Sequence, residues 1–137
     1  MGKILASIKS NKTALLCPVR GRPDYLYDYA ESIAGTAAQA GRLSLQFYVD
    51  SDDAAAKQYQ MLEPELRGRY PDSFEINFLY GDPIGTPGAI NAMAAQSNAD
   101  IFMISNDDLN FVTKSWDERV DQAAAKYPDG IYNIWFN

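Results

Sequence analysis

Histidine is absent from all 137 residues of the chain. Without an imidazole there can be no Ser-His-Asp or Cys-His hydrolase, no H-E-x-x-H zinc enzyme and no Cys/His zinc finger. Cys17 is the only cysteine, so neither an internal disulfide nor a cysteine metal cluster can form. Its setting in Leu15-Leu16-Cys17 reads as a small buried residue. Long hydrophobic runs are missing as well. No stretch approaches the ~18 apolar residues of a membrane span. The segment Ile4-Leu5-Ala6-Ser7-Ile8 behind Lys3 is too short for the apolar region of a signal peptide. A soluble, cytoplasmic protein is the expectation. Positive charge is in deficit, with 12 Lys and Arg against 18 Asp and Glu. That balance argues against a nucleic-acid or anionic-membrane partner.

What is present is an ordinary globular mixture, 47% hydrophobic and 22% charged. At about 150 residues per domain, the length predicts a single domain over residues 1–137. After a polar lead-in through Lys12, short apolar runs alternate with helical patterns. The β-branched and aromatic runs predict strands at 13–19, 43–50, 74–80, 101–105 and 131–136. Helices are predicted at about 25–39, with Asp24 as N-cap and Leu26, Ala30, Ile33 and Ala37 on one stripe. Others follow at about 53–67, weakened by Pro64, and at 89–97 behind a Thr86 cap and Pro87. The last begins near Ser115, with Trp116, Val120 and Ala124 on one face. This alternation predicts an α/β fold, a three-layer sandwich around a mainly parallel twisted sheet.

Ligands of such sheets sit at the carboxyl ends of the strands. Those ends carry Pro18-Val19-Arg20-Gly21-Arg22-Pro23, Asp50-Ser51-Asp52-Asp53, the loop Gly81 to Gly88, and Asn106-Asp107-Asp108. Two acidic clusters and two arginines on one rim suit a divalent metal with a phosphorylated ligand. Each piece also has a plainer reading. Asn106-Asp107-Asp108 is either a cation site or a solvated turn and cap. Asp50 ends its strand and can accept a hydrogen bond from a base or ribose. Asp52 or Ser51 can cap the next helix, with Asp53 complementing its dipole. Arg20 and Arg22 are forks for diphosphate oxygens or a solvated pair balancing the acids. Gly85-Thr86-Pro87-Gly88 either sets helix N–H groups against phosphate or is a turn and cap, and it matches no phosphate-loop pattern. Phe111, Trp116 and Trp135 read as core or groove wall.

The ordered set Cys17 to Pro23, Phe47-Tyr48-Val49-Asp50-Ser51-Asp52-Asp53, Gly88-Ala89-Ile90-Asn91-Ala92 and Ala99 through Asp108 resembles family 2-like glycosyltransferases of the GT-A fold. The continuation Leu109-Asn110-Phe111 and Ser115-Trp116-Asp117 fits the same pattern, so the resemblance spans roughly residues 13–137. It implies a GT-A, Rossmann-like domain that binds a nucleoside-diphosphate sugar with Mg²⁺ or Mn²⁺ and transfers the sugar to an unknown acceptor. Pro18, Arg20, Asp50, Asp52, Asn91, Asn106 and Asp107 would then contact the donor, with Asp50 at the base. Asp108 would be the direct metal ligand, and Asn106 stands where the family's D-x-D motif begins with Asp. Family members normally continue with a segment for the acceptor, a catalytic base and often a third metal ligand. The chain is therefore expected to hold the nucleotide half and little of the acceptor half. Asp82 and Asp117 are the candidate bases. The alternative is a non-catalytic module that binds a nucleotide or a protein. A phosphoacceptor receiver domain would need acids after the first strand and a Lys after the last, and neither is present in this sequence. The apolar strand at 131–136 is expected to favour self-association or a partner protein.

Overall fold

A computed structural model describes residues 11–127. Its four strands are β1 (Thr13–Val19), β2 (Leu43–Asp50), β3 (Glu75–Gly81) and β4 (Ile101–Ile104). They form one sheet in the order β3-β2-β1-β4, and every pairing is parallel. The helices are α1 (Tyr25–Thr36), α2 (Ala56–Arg69), α3 (Gly85–Gln96) and α4 (Trp116–Lys126). The expected strand at 131–136 lies outside the described residues.

β1 is central, and alternate residues feed two cores. Leu15, Cys17 and Val19 pack with Leu26, Tyr29, Ala30 and Ile33 of α1, Tyr59, Leu62 and Leu66 of α2, and Trp116 and Val120 of α4. Ala14 and Leu16 meet Tyr48 of β2 and Ala89 and Met93 of α3 on the other face. The result is three layers, helices on both faces of a parallel sheet. Because all strands run the same way, the carboxyl ends of β1, β2, β3 and β4 share one rim. β4 is short, and it leaves Phe102 46% and Ile104 68% exposed.

Several boundaries differ from the sequence reading, each for a local reason. α1 ends at Thr36 rather than Gln39, because Ala37 is already extended. The Asp24 side chain makes no cap bond. The helix is entered instead through backbone turns in which the Tyr25 and Leu26 N–H groups donate to the Arg22 and Pro23 carbonyls. α2 begins at Ala56, not Asp53, and continues past Pro64 to Arg69. Burial of Tyr59, Leu62 and Leu66 on one face outweighs the backbone bond that proline removes. α3 begins at Gly85 after Ile84, so Thr86 and Pro87 lie inside its first turn. An N–H is unpartnered there in any helix, and proline is tolerated.

Candidate functional site

The rim is held by two arginines that leave β1 on either side of Gly21. Arg20 Nη1 donates to Asp50 Oδ2 and to Asp52 Oδ1, each at 2.8 Å. These bonds, Asp52 first, push the guanidinium pKa up and keep Arg20 charged. Arg22 reaches the opposite way. Its Nε donates to Asp107 Oδ2 at 3.2 Å and its Nη2 to Asp107 Oδ1, a two-pronged fork. The same guanidinium lies 4.5 Å over the Tyr25 ring.

What lets adjacent arginines point apart is the turn between them. Gly21 has φ +72, a left-handed conformation that favours glycine. Its N–H donates to Asp53 Oδ2 at 2.8 Å, while Asp53 Oδ1 accepts the Ala55 N–H at 2.9 Å. The Arg22 N–H donates to the Tyr59 hydroxyl at 3.1 Å. Asp53 is thus a buried clamp between the β1 loop and the entry to α2, not a residue that merely complements a helix dipole. Asp52, read as a possible cap, pairs with Arg20 instead.

A cavity of about 280 Å³ lies over the ends of β1 and β2 and under the start of α3. It is lined by Pro18, Val19, Arg20, Arg22, Tyr48, Asp50, Gly85, Thr86, Ala89 and Asp107. A second, of about 540 Å³, lies beyond Asp107 and is lined by Asp24, Tyr25, Asp28, Tyr29, Glu31, Ser32, Asp107, Asp108, Leu109 and Asn110. Asp107 lines both. Of the expected donor residues, the structure brings Pro18, Arg20, Asp50 and Asp107 together around the first cavity. Asp52 joins them through Arg20. Asn91 is exposed on α3 and Asn106 is exposed after β4, neither lining that cavity. Asp108 is exposed and faces the second cavity.

Arg20 is shared by Asp50 and Asp52 and Arg22 pairs with Asp107, so two guanidinium charges face four carboxylates once Asp108 is counted. No three metal-ligating side chains converge among the described residues. Of the candidate bases, Asp117 is committed elsewhere: its carboxylate accepts the Ala38 and Gln39 N–H groups at 2.8 Å each. Asp82 is exposed on the turn after β3. Trp116 is core, with its ring 4.6 Å from that of Phe111. Burial pushes the Cys17 thiol pKa up, as its apolar run implied.

Sequence reasoning missed Tyr48 and Asp53 as parts of the site, whereas the loop at Gly85 and Thr86, weighed there as a phosphate cradle or a cap, does line the cavity. For Tyr48 a signal was available, since strand alternation puts it on the same face as Asp50.

No family model matches the chain, and no curated protein sequence matches it. Solved structures do. The chain is similar to the mannosyltransferase PcManGT from Pyrobaculum calidifontis, in complex with GDP-Man and Mn²⁺, at 11% identity and TM-score 0.61. That match covers 74% of this chain and 28% of the mannosyltransferase. It is also similar to residues 1–349 of S. aureus TarS, at 11% identity and TM-score 0.64, covering 84% of this chain and 32% of that one. TarS in complex with UDP gives 12% identity and TM-score 0.61, with the same coverage. The chain spans about a third of the length of these proteins. The shared fold is the GT-A, Rossmann-like arrangement of a parallel sheet between helices. Among the described residues no helix is long and apolar enough to cross a membrane.

Proposed function

We propose that the rim binds a nucleoside-diphosphate sugar and, in the presence of Mg²⁺ or Mn²⁺, supports transfer of the sugar to an acceptor. One observation carries this reading: a single cavity is lined by two guanidinium groups, a strand-end carboxylate and the first turn of a helix. It lies at the carboxyl ends of the strands, where open α/β sheets take their ligands. PcManGT and TarS share the fold and were solved with GDP-Man and Mn²⁺ and with UDP.

In this reading Asp50 accepts a hydrogen bond from the base or ribose, and Pro18 walls the cavity beside it. Arg20 and Arg22 offer the diphosphate the guanidinium N–H groups that do not bind Asp50, Asp52 and Asp107, planar donors that suit it better than a lysine's point charge. Asp108, with Asn106 and Asp107 beside it, is the place for the cation. The donor set fits: a small hard cation takes one or two carboxylates and fills its remaining positions with phosphate oxygens and water. A bound cation supplies neutralisation of the departing diphosphate. The arginines contribute to the same end from the protein side. Asp82 is the exposed carboxylate proposed as base, and Asn91 is proposed to reach the ribose from α3.

A non-catalytic nucleotide- or protein-binding module is the second reading. It is favoured by the ion pairs that already satisfy Asp50, Asp52 and Asp107. Hydrolysis assays on UDP- and GDP-sugars, with and without Mn²⁺, combined with calorimetric titration of UDP and GDP, separate the two. Metal-dependent binding with donor hydrolysis supports the transferase. Binding without turnover supports the module, and no binding of either nucleotide overturns the nucleotide reading.

A further inference from the structure

Tyr48 has no role in the reading above, yet it lies between the donor cavity and the turn that builds its wall. It is paired in register with Pro18, and its ring lines the cavity while staying 4% exposed. A buried phenol needs a partner for its O–H. Here the hydroxyl donates to the Asp82 carbonyl at 2.7 Å. Burial, with Asp50 adding to it, pushes the phenol pKa up and keeps that proton in place.

Asp82 belongs to the turn 82–84 from β3 into α3, and all three of its residues are exposed. Gly85 follows with φ +77, and then Thr86; both line the cavity. The end of β3 is shaped for the phenol. A Cβ at Gly81 would lie 2.4 Å from the Tyr48 hydroxyl oxygen and 3.2 Å from its Cζ. The Gly81 backbone has little room to retreat, because its carbonyl accepts the Ser51 N–H at 2.7 Å.

We propose that Tyr48 is a positioning residue for the nucleotide cavity, fixing the turn that carries Gly85 and Thr86 against a bound nucleoside diphosphate through the Asp82 carbonyl. The proposal rests on the nucleotide reading above. An exposed turn tied in advance does not have to be ordered when ligand arrives, which favours binding. Glycine at 81 is the complementary half of the device, because any side chain there displaces the phenol.

The test uses the full chain as parent, Tyr48→Phe, Gly81→Ala and the double variant. Each is titrated calorimetrically with UDP and with GDP in Mn²⁺, and amide exchange is followed at Gly88 and Ala89, the first N–H groups of α3 with intrahelical partners. Tyr48→Phe should weaken nucleotide binding by about three- to tenfold, the effect of one lost hydrogen bond, and accelerate exchange at Gly88 and Ala89. Gly81→Ala should weaken binding too, but less when added to Tyr48→Phe, because the closest clashing atom is gone. Equal affinity of Tyr48→Phe and parent overturns the proposal, and so does strict additivity of the two substitutions. A parent that binds neither nucleotide removes the nucleotide reading and the positioning role with it. Exchange then tells whether the tie itself holds.

Discussion

The Asp53 carboxylate and the Gly21 N–H meet at 2.8 Å across 32 residues of sequence. Their bond sets the direction of both rim arginines, since Gly21 is the left-handed pivot between them. Asp53 is 8% exposed, so its two backbone partners are not replaced by water when it changes. Asp53→Asn should cost about 2–3 kcal/mol, the range for hydrogen bonds to a buried charged acceptor. It should also weaken nucleotide binding by loosening the Arg20 and Arg22 loop. Urea denaturation and calorimetry on the same variant check both effects. Read as a helix-start residue, the same substitution is expected to cost at most about 1 kcal/mol and to leave binding intact.

Asp107 and Asp108 are neighbours with separable roles. Asp108→Asn should lower Mn²⁺-supported UDP or GDP affinity on the order of 10–100-fold, as for other disturbed metal sites, with little change in unfolding midpoint. Asp107→Asn should lower the midpoint as well, because it breaks the buried end of the Arg22 fork. Thermal unfolding beside the titrations distinguishes them, and two variants with the same profile would contradict the assignment.

Asp117→Ala should reduce stability by about 2 kcal/mol through loss of two backbone hydrogen bonds to a buried carboxylate. Nucleotide affinity should be unchanged, because Asp117 lies away from both cavities. A fall in affinity equal to that of Asp108→Asn would put Asp117 back in the site.

Alkaline pH should unfold the protein in a defined window. Burial pushes Tyr59, Tyr70 and Tyr80 from about 10 up to about 12. The folded state therefore holds these protons more tightly than the unfolded chain. Their contribution is complete below pH 10 and is lost as pH rises toward 12. Phenolate absorbance should show late-titrating tyrosines, and denaturant midpoints should fall over the same interval. Flat midpoints across that interval would contradict the burial argument.

How legible all this was depends on the distance over which each feature is determined. The strands announced themselves as β-branched and aromatic runs. β1 and β2 match the sequence reading residue for residue, and β3 is shifted by one. The common rim followed from alternation and parallel pairing. Helix starts were harder: the Asp24 side chain makes no cap bond, the N-cap of α2 is Ala55 rather than Asp52 or Ser51, and that of α3 is Ile84 rather than Thr86. The arginine pairings were legible only as one of two options. Arg20 could be assigned to diphosphate or to the acids on chemistry alone. Its bonds to Asp50 and Asp52 depend on two loops brought side by side by β1–β2 pairing.

The strand order has a temporal meaning. β1, β2 and β3 pair with neighbours in sequence, whereas β4 must close a long loop to reach β1. Closure entropy is spent before its four residues return any contact, and two of them, Phe102 and Ile104, return little burial. The half of the rim built from Arg20, Asp50 and Asp52 can thus assemble with the early, local part of the sheet. The half carrying Asp107 and Asp108 depends on that longer closure. Partial opening at β4 would release those two carboxylates while the other half of the rim stayed folded.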